Sequence, residues 1–329
     1  MLLQRQAPIA SNPLAGANVA LPEPGPGEVR VRVRACGLCR TDLHVIEGDL
    51  HHPKLPLIPG HQVVGVVDRR GPGAARFQDG DRIGIAWLRH TDGVCAYCRS
   101  GRENLCESAR FTGYHADGGY AEYAVVPEAF AYALPTIFGD AEATPLLCAG
   151  IIGYRALERS ETPRGGRLGI WGFGSSAHIT IQVALARGCE VYVATRGEKH
   201  QTLAREMGAA WVGGALDPLP VRVHGGILFA PAGEIVPVAL RSIEKGGTLA
   251  VAGIWLSEIP PLDYERELFY ERNLRSVTAN TRADGEALLR EAAAIPLRPR
   301  VTTFPLEEAN RGLQLLKGDA LNGTGVLIP

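Results

Sequence analysis

No stretch of this 329-residue chain approaches the roughly 18 consecutive apolar residues that announce a transmembrane helix. None is expected. Lysine and arginine together number 34 against 35 acidic residues, a formal net charge of −1, and no long basic run occurs. The chain therefore lacks the electrostatic footprint of a nucleic-acid binder or of a protein drawn to anionic membranes. Met1 to Ala20 has no positive segment followed by an apolar core, so no secretory signal is read there and a cytoplasmic location is expected. Internal repeats and low-complexity tracts are also absent. What remains is the balance of a soluble globular protein, 46% hydrophobic and 21% charged, with enough length for two domains.

Seven cysteines in a cytosolic chain argue against a disulfide framework. Their placement is uneven: Cys36 and Cys39, then Cys95, Cys98 and Cys106, then Cys148 and Cys189. Such clustering favours metal or redox chemistry. Cys36 and Cys189 are expected to be buried structural thiols.

The first third reads as strands and turns. Glu28 to Ala35 alternates valine with charge, the period-two pattern of a half-buried strand, and Pro22 to Gly27 before it is a loop. Val63 to Val67 and Arg82 to Ala86 are further short strand candidates. From about Gly150 the texture changes. Strands are expected at Arg167–Trp171, Glu190–Ala194, Gly226–Ala230, Gly247–Val251 and Arg275–Thr278. Helices are expected at Ala177–Arg187, Lys199–Met207 and Ile235–Ile243. That alternation implies a parallel sheet with helices on both faces.

Gly172-Phe-Gly174-Ser-Ser-Ala177 lies between the first of these strands and the first helix. One glycine permits the tight turn, the second lets backbone approach a pyrophosphate, and the small Ala177 lets helix and strand pack closely. The helix N-terminus then offers free N–H groups to phosphate. In this setting the pattern is a dinucleotide fingerprint.

Three further stretches complete the picture: Gly37-Leu-Cys39-Arg-Thr41-Asp-Leu-His44, Gly60-His61-Gln62 and Leu146-Leu-Cys148-Ala-Gly150. With the fingerprint, they resemble the zinc-containing medium-chain alcohol dehydrogenases, in the family's order and along almost the whole chain. The resemblance implies a GroES-like β-rich catalytic domain from residues 1–148 and 279–329, around a Rossmann cofactor domain at 149–278. It implies hydride transfer between an alcohol, or its aldehyde or ketone, and a nicotinamide cofactor.

By the same resemblance Cys39, His61 and Cys148 are the catalytic zinc ligands. Two thiolates and an imidazole suit a tetrahedral zinc that keeps one position open. Thr41 and His44 would then relay the substrate proton, and their types fit, since a hydroxyl both accepts and donates and histidine titrates near neutrality. Asp92, Cys95, Cys98 and Cys106 resemble the structural-zinc lobe, with an aspartate where the family usually has a cysteine. Carboxylate oxygen is a zinc donor, so one catalytic and one structural zinc are expected. Trp87 resembles a pocket residue.

Other departures are Gln62 for the usual glutamate, Ile152 for a threonine near the nicotinamide, and Asn322-Gly-Thr-Gly325 without the arginine found there in many relatives. At the end of the second Rossmann strand the family's acidic position falls on Thr195, with Arg196 next and Lys199 on the same loop. A neutral residue followed by a guanidinium favours NADP(H) over NAD(H). A small alcohol or aldehyde substrate and a homodimer or homotetramer are expected. A zinc-free quinone or enone reductase of the same superfamily is disfavoured by the ligand triad. A non-enzymatic cofactor-binding protein is disfavoured by Thr41 and His44.

Overall fold

A computed structural model describes residues 1–295, 297–321 and 323–329. Asn322, one of the departures noted above, lies outside the described residues. The chain divides into two compact units. One comprises Met1–Cys148, Ala279–Ala293 and Arg298–Pro329, the other Ala149–Thr278 with Ala294–Leu297.

The first unit is built on a seven-stranded sheet. Its longest strand, Glu28–Gly37, pairs antiparallel with Gln62–Arg70 on one side, and with Tyr123–Pro127 and Thr324–Ile328 on the other. Arg82–Ile85 and Ala131–Ala133 extend the sheet beyond Gln62–Arg70, and Val301–Pro305 adds to Thr324–Ile328. Val29, Val31 and Val33 enter the core while Arg32 and Arg34 stay exposed, the alternation that the pleat dictates. Arg30 breaks it. Its side chain is buried, with Nε and Nη2 donating to the two Asp68 carboxylate oxygens at 3.0 Å each, so the charge is compensated where it lies.

Glu103 joins the late helix Arg282–Ala294 to the early half of this unit. It is 9% exposed and accepts from the Arg282 backbone N–H (2.7 Å), from Nε (3.1 Å) and from Nη2 (2.7 Å). Burial alone would raise its pKa, but the Arg282 bonds outweigh burial and hold it below the usual 4.5. A depressed folded pKa means the pair stabilises above the unfolded value and is lost in acid. Glu103→Gln is therefore expected to cost about 2 kcal/mol at neutral pH. Urea unfolding should show the gap from wild type narrowing as pH falls below 4.5; a gap independent of pH would refute the ion-pair account.

The second unit carries a six-stranded parallel sheet. Numbered along the chain, Arg167–Trp171, Glu190–Ala194, Trp211–Gly213, Val223–Leu228, Ile243–Val251 and Asn273–Ser276 lie in the order 3-2-1-4-5-6. That is the doubly wound dinucleotide arrangement. Among the described residues of this unit, three elements have no counterpart in the sequence reading: the helix Ala149–Arg159, the short strand Trp211–Gly213 and the π-helical turn Tyr264–Leu268. The last strand also begins two residues earlier than expected, because Asn273 to Ser276 find ladder partners from Thr248 to Val251.

Candidate functional site

Gly172 closes the first strand with φ at +88°, and a Cβ there would sit 2.7 Å from the Ala230 backbone N. Only glycine fits both demands. Gly174 caps the helix Ser175–Ala186, and nothing lies within 4 Å of where its Cβ would be. Backbone there is open to a ligand. Ala177 is fully buried in the first turn, as close packing needs. At the end of the second strand Thr195 is buried, its N–H donating to Gly213 O at 3.0 Å. Arg196, Glu198 and Lys199 are exposed around the turn at Gly197 (φ +77°). A guanidinium, an ammonium and a carboxylate thus share that corner.

In the first unit, Cys39 leaves the long strand and caps the helix Arg40–Glu47. Its Sγ accepts from the Thr41 N–H at 3.5 Å, while Asp42 reaches back to the Cys39 N–H at 2.9 Å. This is a reciprocal capping box, with sulfur in place of the usual hydroxyl. His61 follows Gly60 (φ +95°) at the head of the strand Gln62–Arg70. Cys148 ends the 3-10 turn Thr144–Leu147. Three distant segments thereby deliver two sulfurs and a nitrogen, all within 4.8 Å of one another.

The two sulfurs stand 3.9 Å apart, close to the ~3.8 Å edge of a tetrahedron with 2.3 Å zinc–sulfur bonds. His61 is fully buried; its Nδ1 pairs with Asp42 Oδ1 at 2.9 Å, and among the described residues its Nε2 has no hydrogen-bond partner. A buried orphan nitrogen facing two thiols is unfavourable unless something completes it. The local electrostatics agree. The hydrogen bond from Cys148, together with His61, pulls the Cys39 thiol down against burial, and the same contact plus burial pushes Cys148 up. Burial opposes a charged His61, yet Asp42 and Cys39 raise it to about 10. The cluster asks for positive charge at one point, and these donors fit a divalent, thiophilic ion such as zinc.

Thr41 Oγ1 lies 3.6 Å from Cys39 Sγ, and His44 is on the same helix face, its Nδ1 paired with Asp49 at 2.8 Å. Among the described residues no hydrogen bond joins Thr41 to His44 directly. The Trp87 ring stands edge-on to His61 (centroids 4.9 Å) and stacks on Phe111 (4.9 Å, 13°). It forms an apolar wall against the triad. Gln62 is buried beside Gly37, and among the described residues its Oε1 has no partner. Two site residues were not found from sequence: Asp42 and Tyr120, whose hydroxyl donates to Asp42 Oδ2 at 2.9 Å. A carboxylate three residues after the capping cysteine was the available signal for Asp42.

Asp92, Cys95, Cys98 and Cys106 form a second cluster, its donor atoms also within 4.8 Å. Asp92 Oδ1 accepts from the N–H groups of Val94 (2.8 Å) and Cys95 (2.9 Å), which hold its pKa far below the usual carboxylate range. The Asp92 N–H points at Cys106 Sγ (3.4 Å) and the Cys98 N–H at Cys95 Sγ (3.5 Å). These backbone donors hold the two sulfurs in place within the cluster.

Residues 25–136 match the alcohol dehydrogenase GroES-like domain. The chain is 52% identical to a probable alcohol dehydrogenase AdhA of Mycobacterium tuberculosis, over 99% of this chain and 96% of that protein. Among solved structures, a cobalt- and zinc-bound thermostable alcohol dehydrogenase from Pyrobaculum aerophilum superimposes with a TM-score of 0.88 at 25% identity, covering 100% of this chain and 98% of that one. A zinc-binding dehydrogenase of Sinorhizobium meliloti bound to NADP gives 0.85 at 26% identity, with 95% of each chain covered.

Proposed function

Because this chain belongs to the zinc-type medium-chain alcohol dehydrogenase family, we propose that Cys39, His61 and Cys148 hold its catalytic zinc, and that Thr41 and His44 handle the substrate proton. It is an NAD(P)-dependent alcohol dehydrogenase, and a zinc-free reductase is not favoured. The observation that carries the zinc assignment is the buried, partnerless His61 Nε2 beside two thiols 3.9 Å apart.

Zinc bound there supplies Lewis acidity toward the substrate oxygen. The Gly172–Ala177 turn would hold the pyrophosphate of the cofactor, whose nicotinamide would supply or accept the hydride when bound. The remaining work belongs to side chains. Asp42 fixes the His61 ring so that Nε2 faces the thiols. Thr41 Oγ1 would take the hydroxyl proton of the alcohol as it passes its own onward, and His44, one-fifth exposed and not bonded directly to Thr41, would be the group that releases a proton to solvent. Trp87 limits water and substrate bulk at the triad.

The second cluster is assigned a structural zinc on Asp92, Cys95, Cys98 and Cys106. The Thr195–Arg196 corner favours NADP(H). Among the described residues no helix is long and apolar enough to cross a membrane. Free thiols suit a reducing cytoplasm, and a homodimer or homotetramer is proposed.

Short alcohols with each cofactor should yield reduced nicotinamide, and a strong chelator should abolish the signal. Metal analysis should approach two zinc ions per chain, one for each cluster. Activity that survives complete metal removal would overturn the mechanism. A single zinc, with Cys95, Cys98 and Cys106 freely alkylated, would show the lobe to be metal-free.

A further inference from the structure

We propose that Tyr120 is a positioning residue for the triad metal, acting through Asp42 on His61; this rests on the reading that the triad holds zinc. Asp42 is almost fully buried, and its carboxylate receives three donors: His61 Nδ1 on Oδ1, and the Cys39 N–H and the Tyr120 hydroxyl on Oδ2, each at 2.9 Å. Two of those donors belong to metal ligands. The third belongs to a tyrosine that is not one of the clustered candidate ligands.

The chain goes to unusual lengths to place that hydroxyl. Gly118, Gly119 and Tyr120 are laced onto the segment just before His61: the Gly118 N–H donates to Ile58 O (2.7 Å), Gly119 to Gly60 O and Tyr120 to Pro59 O (2.9 Å each). A Cβ on Gly118 would lie 1.9 Å from Gly60 O, and one on Gly119 would lie 2.3 Å from Val63. A Cβ on Gly60 would strike the Tyr120 ring at 2.3 Å. Gly118 therefore meets the Gly60 backbone, Gly119 meets the Val63 side chain, and the tyrosine ring lies directly across Gly60, with no room for added side chains. Tyr120 is 0% exposed. Phenylalanine would fill the same space without a hydroxyl to satisfy, so the bond to Asp42 is the feature that tyrosine adds.

Removing it leaves Asp42 Oδ2 with one donor in a buried setting. The carboxylate is then less firmly held, and so is the imidazole it orients. Loss of a partner in such an outer shell weakens metal retention by about ten- to a hundredfold. For a group one bond further out, acceleration of zinc release by about tenfold is expected.

The test is Tyr120→Phe in the zinc-loaded protein, exposed to a chelator for timed intervals and then alkylated, with each cysteine read by mass spectrometry. Cys39 and Cys148 should become reactive about tenfold sooner, while Cys95, Cys98 and Cys106 keep the wild-type rate. Tyr132→Phe, which removes another buried hydroxyl of the same unit (bonded to Asn280), should change neither rate. Equal protection of Cys39 and Cys148 in wild type and Tyr120→Phe would overturn the proposal. So would faster reaction of all five cysteines together, which marks a packing defect. Wild-type protein without zinc on Cys39 and Cys148 would overturn the zinc reading as well.

Discussion

His61→Ala is expected to lower kcat/KM for alcohol oxidation by a factor of about 1,000 or more, because Lewis-acid stabilisation worth several kcal/mol is lost. The variant keeps both thiols, still placed by separate segments, but it cannot offer a third ligand from a position that is fully buried. It also strips Asp42 of its Oδ1 partner, which costs about 1–3 kcal/mol of stability. That loss is tolerable for a two-unit protein of this size. The second cluster shares no residue with the triad, so zinc content should fall by one ion per chain and not by two. Far-UV circular dichroism should stay native. Turnover within a few-fold of wild type, or loss of both zincs together, would contradict the assignment.

The sequence exposed this chemistry unevenly, and the reasons are physical. Cys39, His61 and Cys148 are far apart along the chain, and nothing in their spacing brings them together. Motif context and family resemblance pointed to them, and the fold places their donor atoms side by side. The Gly172–Ala177 turn was easier to read, since a positive φ and a close backbone approach leave a local signature of glycines. Asp42 and Tyr120 were missed because their roles are set by partners 19 and 78 residues away.

Among the secondary elements, Glu28–Gly37 declared itself by alternation. Helix Ala149–Arg159 did not, as Gly150 and Gly153 interrupt its apolar pattern; Gly153 is needed where a Cβ would meet Thr180 Oγ1 at 2.2 Å. The three-residue strand Trp211–Gly213 is too short for any period to emerge. Its identity depends on the neighbouring strand Glu190–Ala194, which local sequence does not record.

Cofactor choice turns on one corner of the second unit. An acidic side chain at the end of the second strand would accept hydrogen bonds from the adenosine ribose and repel a 2′-phosphate. Here that place is held by Thr195, which is buried and tied by its backbone to Gly213, so no carboxylate stands at the strand end itself. Arg196 follows and is exposed, with Lys199 in the first turn of the helix Glu198–Glu206 beyond it. A guanidinium can grip a phosphate through two parallel hydrogen bonds, stronger than neutral ones. Glu198 works against them, and exposure lets salt screen the whole corner. The net effect is therefore expected to be moderate. Wild type should favour NADP(H) in kcat/KM, and Arg196→Ala should lose about tenfold with NADP(H), equivalent to ~1.4 kcal/mol. Use of NAD(H), which has no phosphate for Arg196 to hold, should change little. Raising the ionic strength should narrow the wild-type preference and leave the variant almost unaffected. If wild type prefers NAD(H), or if Arg196→Ala uses NADP(H) as well as wild type does, Arg196 does not read the phosphate.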